Sequence, residues 1–282
     1  MRFVTFEKDD QKCAGVAPND QIVSLEDAGF QDLLSVLQGG VAALKKVEAF
    51  SAKAPASIPL ATVKLCAPIP DPPKILCMGL NYRDHAKEAN LEVPKYPVIF
   101  AKYTNTVIGS GDYIVLPKNS RKPDYEAEFG FVVGKRARHI KAEHWRDYVF
   151  GYMNCNDVSA RDYQMSVSQW TMGKNFDTFA PMGPYLVTAD EIGDPHNLNI
   201  SLTLNGEIMQ SSNTRELIFK IPETVEFLSS VMTLEPGDVV LTGTPAGVGF
   251  SRRPPRWLLP GDEVVVRVEG LGELRNTCVA EL

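Results

Sequence analysis

The chain has few cysteines, and their arrangement argues against two kinds of site. Its 282 residues hold five cysteines, an odd number, and no two of them form a Cys-x-x-Cys pair. Widely spaced single cysteines suit neither a disulfide framework nor a zinc site, and they favour a reducing compartment.

Long apolar runs and runs of lysine and arginine are also absent. No segment approaches the length of a membrane span, and the net charge is −6 with a pI of about 5.4. We therefore predict no membrane or nucleic-acid partner. Residues 1–7 lack the apolar core of a secretion signal and the acid-poor, arginine-rich character of a transit peptide. The expected location is cytoplasmic, and a mitochondrial location stays open.

What the sequence does contain is typical of a β-rich, turn-rich α+β protein. Hydrophobic residues make up 44% of the chain, and 21 glycines and 20 prolines lie between short apolar runs. Residues 1–60 are predicted to form a small N-terminal α/β module. It would have strands at 2–6, 14–17 and 21–25, then helices at 30–37 and 41–53 that Gly39-Gly40 separates. A linker is predicted at 54–59.

Residues 70–282 are predicted to form the main domain. Asn205-Gly206 between two apolar runs is a strong hairpin signal. Two Pro-Gly-Asp turns, at 236–238 and 260–262, each precede an apolar strand, and Pro222 is placed where a helix would begin. The pattern predicts a closed, mostly antiparallel β domain with a few peripheral helices.

Two acidic residues mark the strand predicted at 124–134. Glu126 and Glu128 are two positions apart, so their carboxylates share one face of a strand. Two such charges near a core persist only with a proton or a cation between them, whereas on an edge strand water would solvate them. Asp157, at a predicted strand-to-helix junction, is either a helix N-cap or a third oxygen ligand. Three carboxylates would suit Mg²⁺ or Mn²⁺.

His85 and Glu88 form a second candidate pair. At a spacing of three on a helical turn they share a face, so Glu88 could orient the imidazole or accept its proton. Such a pair could activate water, and the alternative is an exposed histidine beside an unrelated acid. No acidic motif frames the other histidines (His139, His144 and His196), and we predict no role for them.

Candidate substrate-binding residues follow Asp157 along the chain. Arg161 and Gln164 lie one turn apart on a predicted helix, and the planar guanidinium of arginine suits a substrate carboxylate. Lys174, predicted in a loop at 172–179, could stabilise a developing enolate. The glycine-rich segment 242–249 has neither Walker nor Rossmann spacing. We interpret it as a loop whose amides and Thr244 hydroxyl contact a small anion.

These motifs together resemble the fumarylacetoacetate hydrolase family. The segments that carry the resemblance are 126–128, 157–164, 173–178 and 241–245, in the family's order and spacing, and it covers about residues 70–282. It implies a mixed β-roll catalytic domain, a homodimer, and a small 2-oxo acid as substrate. It also implies that Mg²⁺ or Mn²⁺ is bound by Glu126, Glu128 and Asp157, that His85 and Glu88 form a water-activating dyad on a lid, that Lys174 polarises the substrate, and that Arg161, Gln164 and Thr244 bind it.

The resemblance is to the shorter members of the family. Residues 76–79 hold no acid where the full-length fumarylacetoacetase has a further acidic ligand. Three reactions stay open: hydrolysis of a carbon–carbon bond in an acylpyruvate, which the complete dyad favours, and tautomerisation or decarboxylation of oxaloacetate. Segments 205–214 and 252–255 resemble the members that tautomerise oxaloacetate. A metal-binding β protein without catalytic activity is the alternative from another class.

Overall fold

The β-strands of the described residues hydrogen-bond into three sheets. The computed structural model describes residues 1–54 and 58–282. The first ten strands are β1 (Arg2–Lys8), β2 (Gln11–Val16), β3 (Gln21–Ser24), β4 (Ile58–Pro59), β5 (Leu65–Cys66), β6 (Ile75–Gly79), β7 (Val98–Lys102), β8 (Val107–Ile108), β9 (Tyr113–Leu116) and β10 (Pro123–Asp124). The others are β11 (Ala127–Val133), β12 (Val149–Asn156), β13 (Ser159–Ala160), β14 (Ala180–Thr188), β15 (Asn199–Leu204), β16 (Glu207–Asn213), β17 (Val239–Leu241), β18 (Glu263–Val268) and β19 (Glu273–Ala280).

The helices are short and lie between the strands. They are α1 (Leu33–Gln38), α2 (Gly40–Ser51), α3 (Arg83–Glu88), α4 (Arg161–Gln164), α5 (Thr171–Lys174) and α6 (Ile221–Val231). Six 3₁₀ turns accompany them, at Leu60–Thr62, Thr104–Thr106, Ala142–Asp147, Ala189–Glu191, Thr214–Glu216 and Gly249–Ser251. Within the described ranges, no helix is long and apolar enough to cross a membrane.

The largest sheet has 12 strands, and its main path runs β4-β3-β2-β1-β14-β12-β11-β17-β6-β7. A five-stranded sheet runs β16-β15-β18-β19-β9, and β10 pairs with β13. Most pairs are antiparallel, but β17 with β6, β14 with β8 and β19 with β9 are parallel. The predicted β-rich α+β fold with mixed sheets is confirmed.

Strand β11 lies at the centre of the large sheet and is buried along its whole length. Phe129 and Phe131 pack in the apolar cluster that includes Leu202 of the five-stranded sheet, whereas Val132 packs in the cluster that contains α1 and α2. Successive side chains of a strand point to opposite faces, so β11 is covered on both sides. The interpretation of Glu126 and Glu128 as a solvated edge is therefore wrong.

The structure differs from the sequence predictions in the bounds and caps of several helices. Gly39-Gly40 does end α1, but Gly40 is also the first residue of α2. Lys174, predicted in a loop, is the last residue of α5. Helix α4 has Ala160 as its N-cap, so the interpretation of Asp157 as a helix N-cap is wrong.

The N-terminal strands extend the large sheet, because β1 pairs with β14 through Arg2↔Val187 and Phe3↔Leu186. The division into a module at 1–60 and a catalytic domain at 70–282 stays a prediction. Residues 55–57 of the predicted linker lie outside the described residues, and β4, which follows them, pairs with β3. The hairpin between β15 and β16 is as predicted: Asn205 and Gly206 both have positive φ, at 52° and 81°.

Candidate metal and substrate site

The three candidate acids meet where β11 begins and β12 ends. The strands are antiparallel, with Ala127 opposite Asn156, so residues just before β11 lie beside residues just after β12. The Asp157 amide donates to the Glu126 carbonyl at 2.9 Å, which closes this junction. Carboxylate oxygens of Glu126, Glu128 and Asp157 lie within 4.8 Å of one another, and all three residues are buried. We call these three residues the acidic floor.

Buried cations neutralise part of this charge. Lys174 Nζ lies 2.9 Å from Glu126 Oε2 and 2.5 Å from Asp157 Oδ2. Lys102 Nζ lies 2.6 Å from Asp157 Oδ1. Arg161 Nη1 lies 2.6 Å from Glu126 Oε1. Among the described residues, these ion pairs reach Glu126 and Asp157 but not Glu128.

The pKa values reflect this uneven neutralisation. Burial alone would raise the pKa of Glu126, but the charges of Lys174 and Arg161 outweigh it and hold that pKa well below its usual range. Burial and the neighbouring charges of Asp157 and Glu126 raise the pKa of Glu128 well above its usual value. Burial would lower the pKa of Lys174, yet Asp157 and Glu126 raise it. Glu128 is thus the floor carboxylate whose charge is least neutralised by neighbouring lysine and arginine, and without a cation it binds a proton more readily than an ordinary glutamate does.

This donor set fits a hard divalent cation. Carboxylate oxygens are the ligands that Mg²⁺ and Mn²⁺ prefer, and the three acids offer them from one side, so other positions would be open to water or substrate. A cation bound at the acidic floor would contact Glu128, the floor carboxylate that pairs with no lysine or arginine of the described residues. Glu128 Oε2 already accepts a 2.6 Å hydrogen bond from the Gly243 amide, which fixes its orientation.

The acidic floor opens into a cavity of about 230 Å³. Its polar and charged lining residues are His85, Glu126, Arg161, Gln164, Lys174, Thr244 and Ser251. Apolar side chains line the rest: Met78, Leu80, Ala89, Leu91, Phe100, Met165, Trp170, Val248 and Phe250. The structure thus brings six of the nine predicted site residues to one cavity. Of the other three, Glu128 and Asp157 lie in the acidic floor, and Glu88 contacts His85.

Arg161 is held rigidly but keeps one unused donor. Its Nε donates to Asp124 Oδ2 at 2.8 Å, and its Nη1 donates to Gln164 Oε1 at 2.8 Å. Its Nη2 is buried and has no hydrogen-bond partner among the residues that the structure describes. A buried guanidinium nitrogen without a partner is costly, unless a bound molecule supplies an acceptor.

The glycine-rich segment 242–249 differs from its interpretation. Its amides do contact anions, but these are carboxylates of the chain itself: the amides of Gly243, Ala246, Gly247 and Gly249 donate to Glu128, Asp84, Glu88 and Asp124. The Thr244 hydroxyl accepts a 2.8 Å hydrogen bond from Gln210 Nε2. Its own hydrogen stays available to a ligand, as the predicted role requires.

His85 and Glu88 lie on α3, above the acidic floor. His85 Nδ1 is 3.4 Å from Glu88 Oε2, and the two side chains are 17% and 25% exposed. Glu88 Oε1 accepts from the Gly247 amide at 3.0 Å. Burial would raise the pKa of Glu88, but the hydrogen bonds from His85 and Gly247 hold it below its usual value. The carboxylate is therefore ionised at neutral pH and can orient the imidazole.

Sequence reasoning missed Lys102, Asp124 and Trp170. Lys102 closes an apolar strand, which is the only signal that could have marked it. Asp124 comes shortly before Glu126 and Glu128 in the sequence, but it belongs to no recognised motif. Trp170 lies over Gly79, where an added Cβ would come within 2.1 Å of the indole ring. Nothing in the spacing of the sequence indicates that contact.

Comparison with known proteins agrees with the resemblance of the sequence motifs to one family. The family model for the fumarylacetoacetate (FAA) hydrolase C-terminal domain matches residues 74–279. The mitochondrial oxaloacetate tautomerase Fahd2a of Rattus norvegicus is 50% identical over 223 residues, which are 79% of this chain and 71% of the relative.

Solved structures agree as well, and each alignment covers the whole of both chains. A putative HpcE protein from Mycobacterium smegmatis has a TM-score of 0.89 at 32% identity. A maleylpyruvate hydrolase from Sphingobium sp. SYK-6, in complex with manganese(II) ion and pyruvate, has a TM-score of 0.86 at 31% identity. The predicted resemblance is confirmed, and the chain belongs to the fumarylacetoacetate hydrolase family of enzymes.

Proposed function

We propose that this protein is a divalent-cation-dependent tautomerase that interconverts the enol and keto forms of oxaloacetate. Arg161 lines the cavity beside the acidic floor, and its buried Nη2 has no hydrogen-bond partner among the described residues. This donor is the observation that carries the proposal. The site thus offers an arginine donor and a cation-binding face, which suits a small molecule with two anionic ends. The 50% identity to an oxaloacetate tautomerase supports this reaction more than hydrolysis.

Glu126, Glu128 and Asp157 would hold Mg²⁺ or Mn²⁺ at the acidic floor. When bound there, the cation would supply Lewis-acid polarisation of the 2-oxo group. Lys102 and Lys174 hold the two Asp157 oxygens at 2.6 and 2.5 Å, so the protein fixes this carboxylate before substrate binds. Dimerisation, with a second copy of this chain, is part of the same proposal.

The residues of the chain do the rest of the chemistry. Arg161 binds a substrate carboxylate through Nη2, and Gln164 and Thr244 hold the substrate in place. Lys174 adds a fixed positive charge near the oxygen on which negative charge develops. His85 moves a proton to or from carbon 3, and Glu88 stabilises the imidazolium that forms. No proton is gained or lost overall, because the enol hydroxyl gives up the proton that carbon 3 receives.

Hydrolysis of an acylpyruvate is the second candidate, and the apolar wall of the cavity favours it. Phe100, Trp170 and Val248 would accommodate an apolar acyl group better than a second carboxylate. In that reaction, His85 takes a proton from water, and the oxygen attacks the distal carbonyl. The carbon–carbon bond then breaks to give a carboxylic acid and the enolate of pyruvate, and carbon 3 of the enolate takes the proton from His85 to give pyruvate.

Separate assays with oxaloacetate and acetylpyruvate distinguish these reactions. The purified full chain, first stripped with EDTA and then supplied with Mg²⁺ or Mn²⁺, should accelerate the loss of the oxaloacetate enol absorbance without release of carbon dioxide. EDTA-stripped protein and Arg161→Lys, which lacks the second guanidinium donor, should both be slower. Pyruvate and acetate from acetylpyruvate would establish the hydrolase instead, and carbon dioxide from oxaloacetate a decarboxylase. Cation binding without turnover of either substrate would indicate a protein without catalytic activity.

A further inference from the structure

Helix α3, which carries His85 and Glu88, is too short to hold its own position. It has six residues, whereas isolated helices shorter than about 12–15 residues are marginal in water. Its place above the cavity must therefore come from contacts with the rest of the protein. Ala86 is buried, Arg83 Nη1 donates to the Leu217 carbonyl at 2.8 Å, and the carboxylates of Asp84 and Glu88 accept further hydrogen bonds.

Asp84 joins the first turn of α3 to strand β16. Its Oδ2 accepts a 2.5 Å hydrogen bond from Ser212 Oγ. Its Oδ1 accepts from the His85 amide at 2.7 Å and, more weakly, from the Ala246 amide at 3.4 Å. A carboxylate in the first turn also suits the positive end of the helix. A single side chain thus connects the backbone of His85 with Ser212.

Strand β16 is itself tied to the acidic floor. Two residues before Ser212, the buried Gln210 accepts from the Ala127 amide at 2.8 Å, between the two floor glutamates. Gln210 Nε2 donates to Thr244 Oγ1 and to the Pro245 carbonyl, both at 2.8 Å. The same strand therefore contacts the residues around the floor and the helix that carries the dyad.

The other end of α3 is anchored to the same strand indirectly. Glu88 Oε1 accepts from the Gly247 amide, and Gly247 lies so close to β16 that an added Cβ would be 2.1 Å from the Met209 carbonyl oxygen. Glu88 keeps its second oxygen for His85. Contacts with β16, or with a residue packed against it, thus position both ends of α3.

We propose that Ser212 is a positioning residue for proton transfer, which acts through Asp84 to hold α3, and with it His85, at a fixed place above the acidic floor. The inference rests on the proposed function of His85 and assigns a role to the Ser211-Ser212-Asn213-Thr214 segment. Ser212 contacts neither the cavity nor a floor carboxylate, so its loss leaves the binding surfaces unchanged and displaces the dyad alone.

The test compares Ser212→Ala with two matched variants of the full chain. Ser211→Ala removes a hydroxyl from the exposed neighbour on the opposite face of β16 and is the control. Ser212→Thr keeps the hydroxyl and suits a strand. Displacement of a catalytic group by about 1 Å can cost about a hundredfold, so we expect kcat for oxaloacetate to fall about ten- to hundredfold in Ser212→Ala. KM and Mn²⁺ affinity should stay within about twofold of wild type, and Ser212→Thr should recover most of kcat.

Hydrogen exchange gives a readout that does not depend on the reaction. The amides of Ala86 and Ala89 are bonded within α3 to the carbonyls of Tyr82 and His85. They should exchange faster in Ser212→Ala than in Ser211→Ala. Faster exchange in a protein that turns over neither substrate would refute the proposed function and leave the positioning role standing.

Two results would overturn the inference. One is equal kcat and equal α3 exchange in Ser212→Ala and Ser211→Ala. The other comes from Asp84→Asn, which retains an oxygen acceptor for the His85 amide. If Ser212 acts through Asp84, the double variant should be no slower than the slower single variant; if the two losses multiply, the residues act independently. If Ser212→Ala folds poorly, Asp84→Asn alone serves, because it changes the other partner of the same contact and should likewise lower kcat and speed the exchange of the α3 amides.

Discussion

The acidic floor and helix α3 face the same cavity but are built in opposite ways. The floor carboxylates lie at the central strands of the large sheet, and their side chains are at most 7% exposed where ion pairs form. Each floor carboxylate has a lysine, an arginine or a backbone amide as a partner. Helix α3 has six residues, and its dyad is joined by one 3.4 Å contact between side chains that are 17% and 25% exposed.

Under the proposed function, this difference separates cation binding from proton transfer. A cation site needs several oxygens held at fixed distances, and only a rigid, buried frame provides them. A proton-transfer group needs one correctly placed atom near the substrate, and a small docked element is sufficient for that. Changes in the floor should therefore abolish activity and binding together, whereas changes in α3 should reduce turnover and leave binding intact.

Glu128→Ala should have the largest effect, because it removes a floor ligand. The Lewis-acid contribution of a bound cation is worth several kcal/mol, so activity should fall about 10³-fold or more. Calorimetric titration should show that Mn²⁺ affinity is lost as well, while the far-ultraviolet circular dichroism of the fold stays as in wild type. Glu143→Ala, on the surface, is the control. A Glu128→Ala protein that is fully active without added metal would refute the ligand assignment.

His85→Ala tests the other side of the comparison. General acid–base groups contribute about 10²–10⁴-fold, so kcat should fall within that range. Mn²⁺ affinity should not change, since His85 is not part of the floor. His144→Ala is a matched control, because that imidazole is 61% exposed and lies outside the cavity lining. Undiminished turnover in His85→Ala would exclude the dyad from the reaction.

Gly79→Ala tests the part of the cavity wall that Gly79 and Trp170 form. A Cβ at Gly79 would lie 2.1 Å from the Trp170 ring, so the indole must move. Overpacking of this kind costs about 1–3 kcal/mol, and we expect a rise of about tenfold in KM with a smaller change in kcat. Gly193→Ala has nothing within 4 Å of its added Cβ and should behave as wild type. Trp170→Ala in the Gly79→Ala background should lower KM again; a KM that stays high would mean that the wall acts by another route.

The sequence predicted the candidate site residues better than it predicted the residues that hold them in position. The spacing of Glu126 and Glu128 predicted two carboxylates on one face. Residue type and position indicated Asp157, Arg161 and Lys174, and the resemblance to the family then implied their roles. The chemistry proposed for these residues needs particular residue types, so their spacing is informative. Asp157 lies beside Glu126 because β11 and β12 pair in an antiparallel arrangement. The motifs implied that the two acids converge, but they did not show the register of the two strands.

The residues that sequence reasoning missed are those whose role comes from tertiary contacts. Lys102 is an ordinary strand residue until β7 is placed beside Asp157, and Ser212 gains its partner only when β16 meets α3. Asp157 resembled a helix N-cap because a strand-to-helix junction follows it, but two strand residues intervene before α4. Local patterns do not encode such long-range placements.

The effect of Glu88→Gln on folding stability should be the smallest of the predicted effects, and the sign of its pH dependence follows from the pKa of Glu88. Hydrogen bonds from His85 and Gly247 hold this pKa below the ordinary value of 4.5 in the folded protein, although burial opposes them. Folding therefore gains stability from the ionised carboxylate above pH 4.5, and that gain is lost as the pH falls below 4.5 through the folded pKa. Because the pair is partly exposed, the gain should be less than about 1 kcal/mol. Urea unfolding at pH 7 and pH 4 should show a smaller pH-dependent loss in Glu88→Gln than in wild type, and Glu143→Gln should match wild type. An identical loss in Glu88→Gln would mean that the hydrogen bonds of the ionised Glu88 carboxylate with His85 and Gly247 do not stabilise the folded state.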